Sequence, residues 1–466
     1  SAWWNDTAPT TSVFTVGTDH SVNADGENYV AYLFAHNNDD GGFGAAGDQD
    51  IIKCGTYTGN NNATGPIIDL GFEPQWIFIK HYDAGAGGGE SSFIFDNKRG
   101  VVTGGNDNSL SPNANNDEQT GADSLEFNAS GFQLKRANDS VNGNSKNYIY
   151  MAIRRGGMQT PTAASSVFNV NNYSSNSNST IFNTGFDVDM NINTEATSGG
   201  ARYIISRLTG DDYMNTDGTT AAQDGSATFW DTKSNHVNLS DNWFGAQSNV
   251  ISYSWKKAKG YFDTVAYTGT GSARTIAHNL AVAPEMIWIK NRAATENWVV
   301  YHSGIDGSTP EDFYLRLNQD GARINIDGGA GNRFNRTAPT ASVFTVGTDS
   351  DVNGNGVAYI SYHFATVANV SKVGSFTQSG ATNVACGFTG STPALIILRR
   401  IDDSGNWYLF DAIRGIVAGN DTHFYLNTTV ANITNADVVD PYSGGFATTS
   451  NLTNGDYVFY AIASIA

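Results

Sequence analysis

The sequence predicts an all-β protein: tandem antiparallel β-sandwich repeats, jelly-roll-like, each of about 100 residues. Three observations predict it. Apolar runs are short and partly alternating, and none keeps an i, i+3, i+4, i+7 spacing. Charged residues are only 15%, so Asn, Ser, Thr and 51 Gly carry the polar balance, a mixture that favours turns over helices. Three kinds of segment also recur along the 466 residues.

The chain opens on "TAPTTSVFTVGTD" at 7–19, and "TAPTASVFTVGTD" returns at 337–349 with only Thr11 exchanged for Ala341. The second copy leads into the closing segment "YISYHFAT" at 359–366, and the first leads into "YVAYLFAH" at 29–36. Residues 1–50 are therefore expected to be the second half of a β-repeat plus a Gly/Asp-rich linker. Its first half is expected upstream in a longer precursor or in a neighbour.

Four full repeats follow, expected at 51–160, 161–260, 261–372 and 373–466, the second divergent. Each holds an apolar strand after a Pro or its equivalent: "GFEPQWIFIK" at 71–80, "GFDVDMNIN" at 185–193, "AVAPEMIWIK" at 281–290 and "GSTPALIILRR" at 390–400. Taking Pro74, Val188, Pro284 and Pro393 as equivalent, the spacings are 114, 96 and 109. A middle strand comes next: "FIFDNKRG" at 93–100, "YIISRLTG" at 203–210, "WVVYHSGIDG" at 298–307 and "WYLFDAIRG" at 407–415. Closing strands are "YIYMAIRR" at 148–155, "VISYSWKK" at 250–257, "YISYHFAT" and "YVFYAIAS" at 457–464.

In "YISYHFA" the alternation puts Tyr359, Ser361 and His363 on one side and Ile360, Tyr362 and Phe364 on the other, which predicts one wetter face. "WIFIK" is continuously apolar, as in a strand buried on both sides. Asn-Gly and Asp-Gly ahead of the closing strands, as in "VNADGEN" at 22–28 and "DVNGNGV" at 351–357, predict hairpin turns.

With 26 Lys and Arg against 45 Asp and Glu, the net charge of −19 repels phosphate, so nucleic-acid binding is not expected. No apolar run approaches the ~18 to 20 residues of a membrane helix, and no membrane insertion is expected. Two cysteines, Cys54 and Cys386, make no disulfide framework and are expected as small buried residues.

No phosphate-binding, zinc-protease or nucleophile-elbow motif is present. The pairs Asp96/Arg99 and Asp411/Arg414 recur in two repeats, and recurrence argues that each fixes a turn rather than binds a sugar. "DSDVNGNG" at 349–356 offers Asp349, Asp351 and Asn353 as oxygen donors like the start of a calcium loop, but no Glu stands at its twelfth position. A turn explains it more simply, and no other cofactor is expected. Trp3, Trp4, Trp230 and Trp243 are candidates for stacking on sugars, against packing as the plainer role.

Taken together, "GFEPQWIFIK…FIFDNKRG…NYIYMAIRRG" and "TAPTASVFTVGTD…VNGNGVAYISYHFA…VGSFT" resemble the repeated β-domains of virion structural and tail-fibre-like proteins of tailed phages of marine bacteria, especially cyanophages. The resemblance implies no catalytic residues. It implies a non-enzymatic part of a phage particle, on the virion surface, that contacts other virion proteins and a host-surface glycan or protein. A fibre of this kind would be a homo-oligomer, a trimer by analogy. A capsid-surface or baseplate assembly block, a bacterial cell-surface adhesin and a polysaccharide depolymerase are the alternatives.

Overall fold

The computed structural model describes residues 3–35, 50–83, 91–156, 159–173, 179–196, 199–210, 212–225, 236–240, 249–326, 332–390 and 392–465. The chain divides into two compact units, residues 1–36 and 37–466.

The larger unit is all-β, with several antiparallel sheets in sandwich-like pairs. Repeat 3 shows the plan. Its six-stranded sheet runs Phe262–Thr268, Ala358–Phe364, Met286–Asn291, Val299–His302, Phe313–Arg316, Ile324–Asn325. The closing strand thus lies between the opening strand and the Pro-led strand, antiparallel to both. A small sheet of Arg274–Ala277 and Val343–Val346 covers one face. Its Ile276, Phe344 and Val346 meet Tyr267, Ile287 and Ile289 of the large sheet in one core. The same strand order recurs at 52–154, 168–255 and 371–462.

The expected hairpin before each closing strand is instead a crossover, because Val343–Val346 belongs to the small sheet and Ala358–Phe364 to the large one. In repeat 3 it carries a one-turn helix, Ser350–Asn353, capped by the Asp349 side chain. Gly356, at φ 73°, supplies the left-handed turn that follows. Two stacked tyrosines pin the crossover: Tyr267 donates to Val352 O (2.7 Å) and Tyr359 to Ser350 O (2.6 Å). Repeat 1 repeats the device, with Tyr57 donating to Val141 O and Tyr148 to Asp139 O.

The wetter face expected of "YISYHFA" does not exist. Ser361 and His363 are buried inside the sandwich, and Ile360, Tyr362 and Phe364 are buried on the opposite side. The reason is a second level of packing. Trp255, Trp288 and Tyr460, from repeats 2, 3 and 4, share one core between the large sheets, which in repeat 4 runs on into the sandwich through Phe459 and Phe446. At each seam of this group a backbone N–H of one repeat donates to a carbonyl of the next: Ala222 to Arg292 (2.8 Å), Arg323 to Ile401 (2.9 Å) and Asn432 to Ala196 (3.1 Å). The seams run repeat 2 to 3, 3 to 4 and 4 to 2, so the ring closes. All three acceptors hold one position, two residues past Lys290, Arg399 and Thr194, which pair with Ile360, Val458 and Ile251 of the closing strands.

Side chains repeat the pattern. The Trp298 indole donates to Asn215 O (2.8 Å), the Trp407 indole to Arg316 O (2.9 Å), and the Arg202 guanidinium, at the same position of repeat 2, to Val430 O. Repeat 1 stands outside the ring with a core of its own.

The small N-terminal unit keeps the local structure of repeat 3. Asp19 caps the turn His20–Asn23, and Tyr29 donates to His20 O at 2.6 Å. The strand expected at 29–36 is not formed over the described residues. Val30, Tyr32, Leu33 and Phe34 are 79, 81, 74 and 58% exposed, where Ile360, Tyr362, His363 and Phe364 are 0%. The cause is partnership: in repeat 3 this segment is paired on both sides, by strands that have no counterpart within residues 1–36.

Candidate functional site

A cleft of about 230 Å³ opens where repeats 1, 2 and 3 meet. Its floor is a buried charge cluster built from equivalent positions. Arg155 and Lys257 each stand two residues past Ile153 and Trp255 in the closing strands, and Asp189 directly precedes the Pro-led strand of repeat 2. Glu73 of repeat 1 pairs with both Arg155 and Lys257. Asp189 pairs with Arg155 and, at 3.4 Å, with Arg207, and accepts the Lys257 N–H at 2.6 Å. Asp263 of repeat 3 receives Lys257 at 2.8 Å and the Asn279 N–H at 2.7 Å.

Three cations therefore meet three anions and the cluster is neutral. Burial pushes the Asp189 carboxyl up, but Arg155, Arg207 and the Lys257 N–H outweigh it and hold the group at about 2. Burial lowers Lys257, and Asp263 with Glu73 more than reverse that, so it stays charged. His278, on the cleft wall, is held neutral by burial; its Nδ1 accepts the Leu280 N–H and its Nε2 lies 3.1 Å from Thr340 O. The partly exposed Arg154 and Lys259 stand on its rim, where an Arg154 Nη donates to Asp50 O at 3.4 Å. Such a cleft can hold an anionic group.

The family described as "Domain of unknown function (DUF7483)" matches residues 1–155 and 259–465. The chain belongs to this family. The DUF7483 match passes over 156–258, and the sheets of repeat 2 lie inside that gap. It includes Glu73, Arg154, Arg155, Lys259 and Asp263 of the cleft but neither Asp189 nor Lys257. No curated protein matches the chain.

The candidate residues of the sequence are scattered. Asp349 and Asp351 both pair with Arg333, at 3.2 and 2.5 Å, and Asn353 donates its amide N–H to Ser272 O and Gly347 O and accepts the Thr270 N–H on its oxygen. A guanidinium thus sits where a calcium would, and the segment is a helix cap. Among the described residues no group of three or more His, Cys, Asp or Glu is placed to hold a metal. Trp3 and Trp4 lie in the N-terminal unit, 49 and 54% exposed, remote in sequence from the cleft. Trp230 and Trp243 lie outside the described residues.

The Asp/Arg pairs fix turns. Asp96 accepts the Arg99 N–H (2.8 Å) and Nε (2.9 Å), and Asp411 accepts the same two groups of Arg414 at 2.9 and 2.6 Å. Cys54 and Cys386 do not pair in a disulfide, and Cys54 is only partly buried while Cys386 is buried. Composition gave no hint of the charge cluster. Its visible trace was the pair of basic doublets, Arg154-Arg155 and Lys256-Lys257, each ending a closing strand.

Proposed function

We propose that the chain is a non-enzymatic structural protein of a phage particle, an external fibre or appendage that contacts a host-surface glycan or protein. The observation that carries this reading is the way the repeats are locked. Every seam of the ring is crossed by backbone bonds, and repeat 1 is fastened to repeat 2 through buried ion pairs and to repeat 3 by hydrogen bonds from Asn279 to Ala129 O and from Arg292 to Thr103 O. A stack whose joints are made of core residues and satisfied polar groups resists shear and proteolysis, which an external part must do. Several copies on one particle turn weak contacts into avidity. The rim cations Arg154 and Lys259 are suited to an acidic sugar of the host envelope.

Gold-labelled antibodies against the protein test the reading on purified particles. Labelling on the particle exterior is expected, and unlabelled particles overturn it. Fluorescent protein should also bind host cells, and Arg154→Glu with Lys259→Glu should weaken that binding several-fold. Decorated particles whose protein does not bind cells would reduce the role to assembly alone. Release of oligosaccharide from envelope polysaccharide would replace the non-enzymatic reading with a depolymerase.

A further inference from the structure

The face that repeats 2, 3 and 4 bury against one another is open in repeat 1. Register identifies it. Met286, Trp288 and Phe364 of repeat 3 are fully buried in the shared core. Strand pairing puts Trp76, Phe78 and Ile153 at the same places in repeat 1, since Trp76 pairs with Ile153 as Met286 pairs with Phe364. Ile94, Ile149 and Met151 complete the patch. Ile149 is 40% exposed, and the other five are partly buried. The inner face of the same strands is already satisfied, because Ile77, Ile79 and Tyr148 close the sandwich core.

The seam groups are open as well. The acceptor position of the ring, two residues past Lys290, falls in repeat 1 two residues past Lys80, on Tyr82, which is 53% exposed. The donor position directly precedes the last strand of the sheet: Arg323 before Ile324–Asn325, Asn432 before Ile433–Ala436. In repeat 1 this is Glu118, exposed, before the exposed edge Gln119–Ala122. One departure exists: Ser92 stands where Trp298 and Trp407 stand, so repeat 1 lacks that long donor.

We propose that this face of repeat 1 is the contact through which three copies of the chain assemble, their first repeats closing a ring like the one that repeats 2, 3 and 4 close within a single chain. The occupant follows from the internal ring. A head-to-tail contact makes a closed ring only if its rotation closes, and this sheet, in this register, closes after three members. A contiguous apolar patch with a carbonyl and an N–H at its two edges matches another copy of itself, turned by that rotation. In the assembly the Glu118 N–H of one copy donates to Tyr82 O of the next, and Lys80 takes the place of Lys290, whose Nζ donates across the seam to Thr219 O at 3.1 Å. The assignment does not depend on where the protein works.

Sedimentation of the full chain tests it. A mass three times that of one chain is expected at micromolar concentration; a single-chain mass, or an even-numbered assembly, overturns it. Ile149→Glu and Phe78→Lys should each give single chains with an unchanged circular dichroism spectrum and melting of the ring, since neither residue lies in a sandwich core. Should one of them misfold, Glu118→Pro removes the seam N–H without touching the apolar patch, and it must also dissociate the assembly. A variant that folds and stays threefold sinks the proposal. Thiol alkylation gives an independent reading, because Cys54 pairs with Met151 on this face while Cys386 is buried. Cys54 should react slowly in the wild type and many-fold faster in Ile149→Glu; equal rates would mean the face is not covered.

Discussion

At the scale of single residues, the joints depend on a few polar groups taken out of water. Lys257 is the clearest, as it holds Glu73 of repeat 1 and Asp263 of repeat 3 from its own place at the end of repeat 2. Lys257→Met leaves two buried carboxylates short of a partner, and breaking a buried pair in this way costs about 3–5 kcal/mol. Urea unfolding should show that loss, while Lys256→Met, one residue away and partly exposed, should cost under about 0.5 kcal/mol. Histidines add a pH dependence. Burial holds His302 down at about 4, with Nδ1 accepting the Gly304 N–H and Nε2 facing Phe459 O of repeat 4. The unfolded chain, at about 6.5, binds the proton more readily than the folded one. The His302 contribution should therefore be full above about pH 6.5 and be lost as pH drops toward 4. Asp189, depressed to about 2, adds a second loss between about pH 4 and 2. Melting temperatures from pH 7 to 3 should show the first step, and His302→Gln should shrink it by one histidine's share, because burial also holds His363 at about 3 and His423 at about 4.

At the scale of elements, most strands were legible and their surroundings were not. In the four full repeats the Pro-led, middle and closing segments all form strands because apolar alternation and the flanking Gly and Asn dictate extended chain and turn. What alternation could not show is that the polar-looking residues of "YISYHFA" point into a sandwich while the apolar ones point into a neighbouring repeat. A strand with two buried faces can carry Ser361 and His363 inside, where Ser361 Oγ lies 2.8 Å from His363 Nε2. The charge cluster was illegible for a related reason: its members come from three different repeats, Glu73 and Lys257 lying 184 residues apart, and each looks like an ordinary surface charge in its own segment. The duplicated motif gives a controlled comparison, since one sequence meets two environments. Phe344 is 1% exposed and Phe14 is 39% exposed. Phe344→Ala should cost about 3–5 kcal/mol in urea unfolding and Phe14→Ala under about 1 kcal/mol, despite near-identical flanks.

At the scale of the whole molecule, core distribution predicts how the protein comes apart. Repeats 2, 3 and 4 share one continuous core, whereas repeat 1 keeps its own and is tied to repeat 2 by buried ion pairs. Calorimetry should resolve a transition for repeat 1 and a single larger one for the other three. A chain ending at residue 369 should fail to show the larger transition at all, because removing repeat 4 strips Trp288, Phe364 and Trp255 of their cover and breaks two of the three seams. If repeats 2 and 3 still melted cooperatively without it, the ring would not be the unit of folding.

The closure of that ring inside one polypeptide has an evolutionary reach. When identical chains assemble, a change of one codon appears at every interface together, so only substitutions tolerable in all of them survive. Here each seam is encoded separately and has drifted on its own. One places the Tyr253 hydroxyl on Asp411 at 2.7 Å, and another sets His302 against a backbone carbonyl. Duplication within a gene has thus released three interfaces from the demand of self-complementarity.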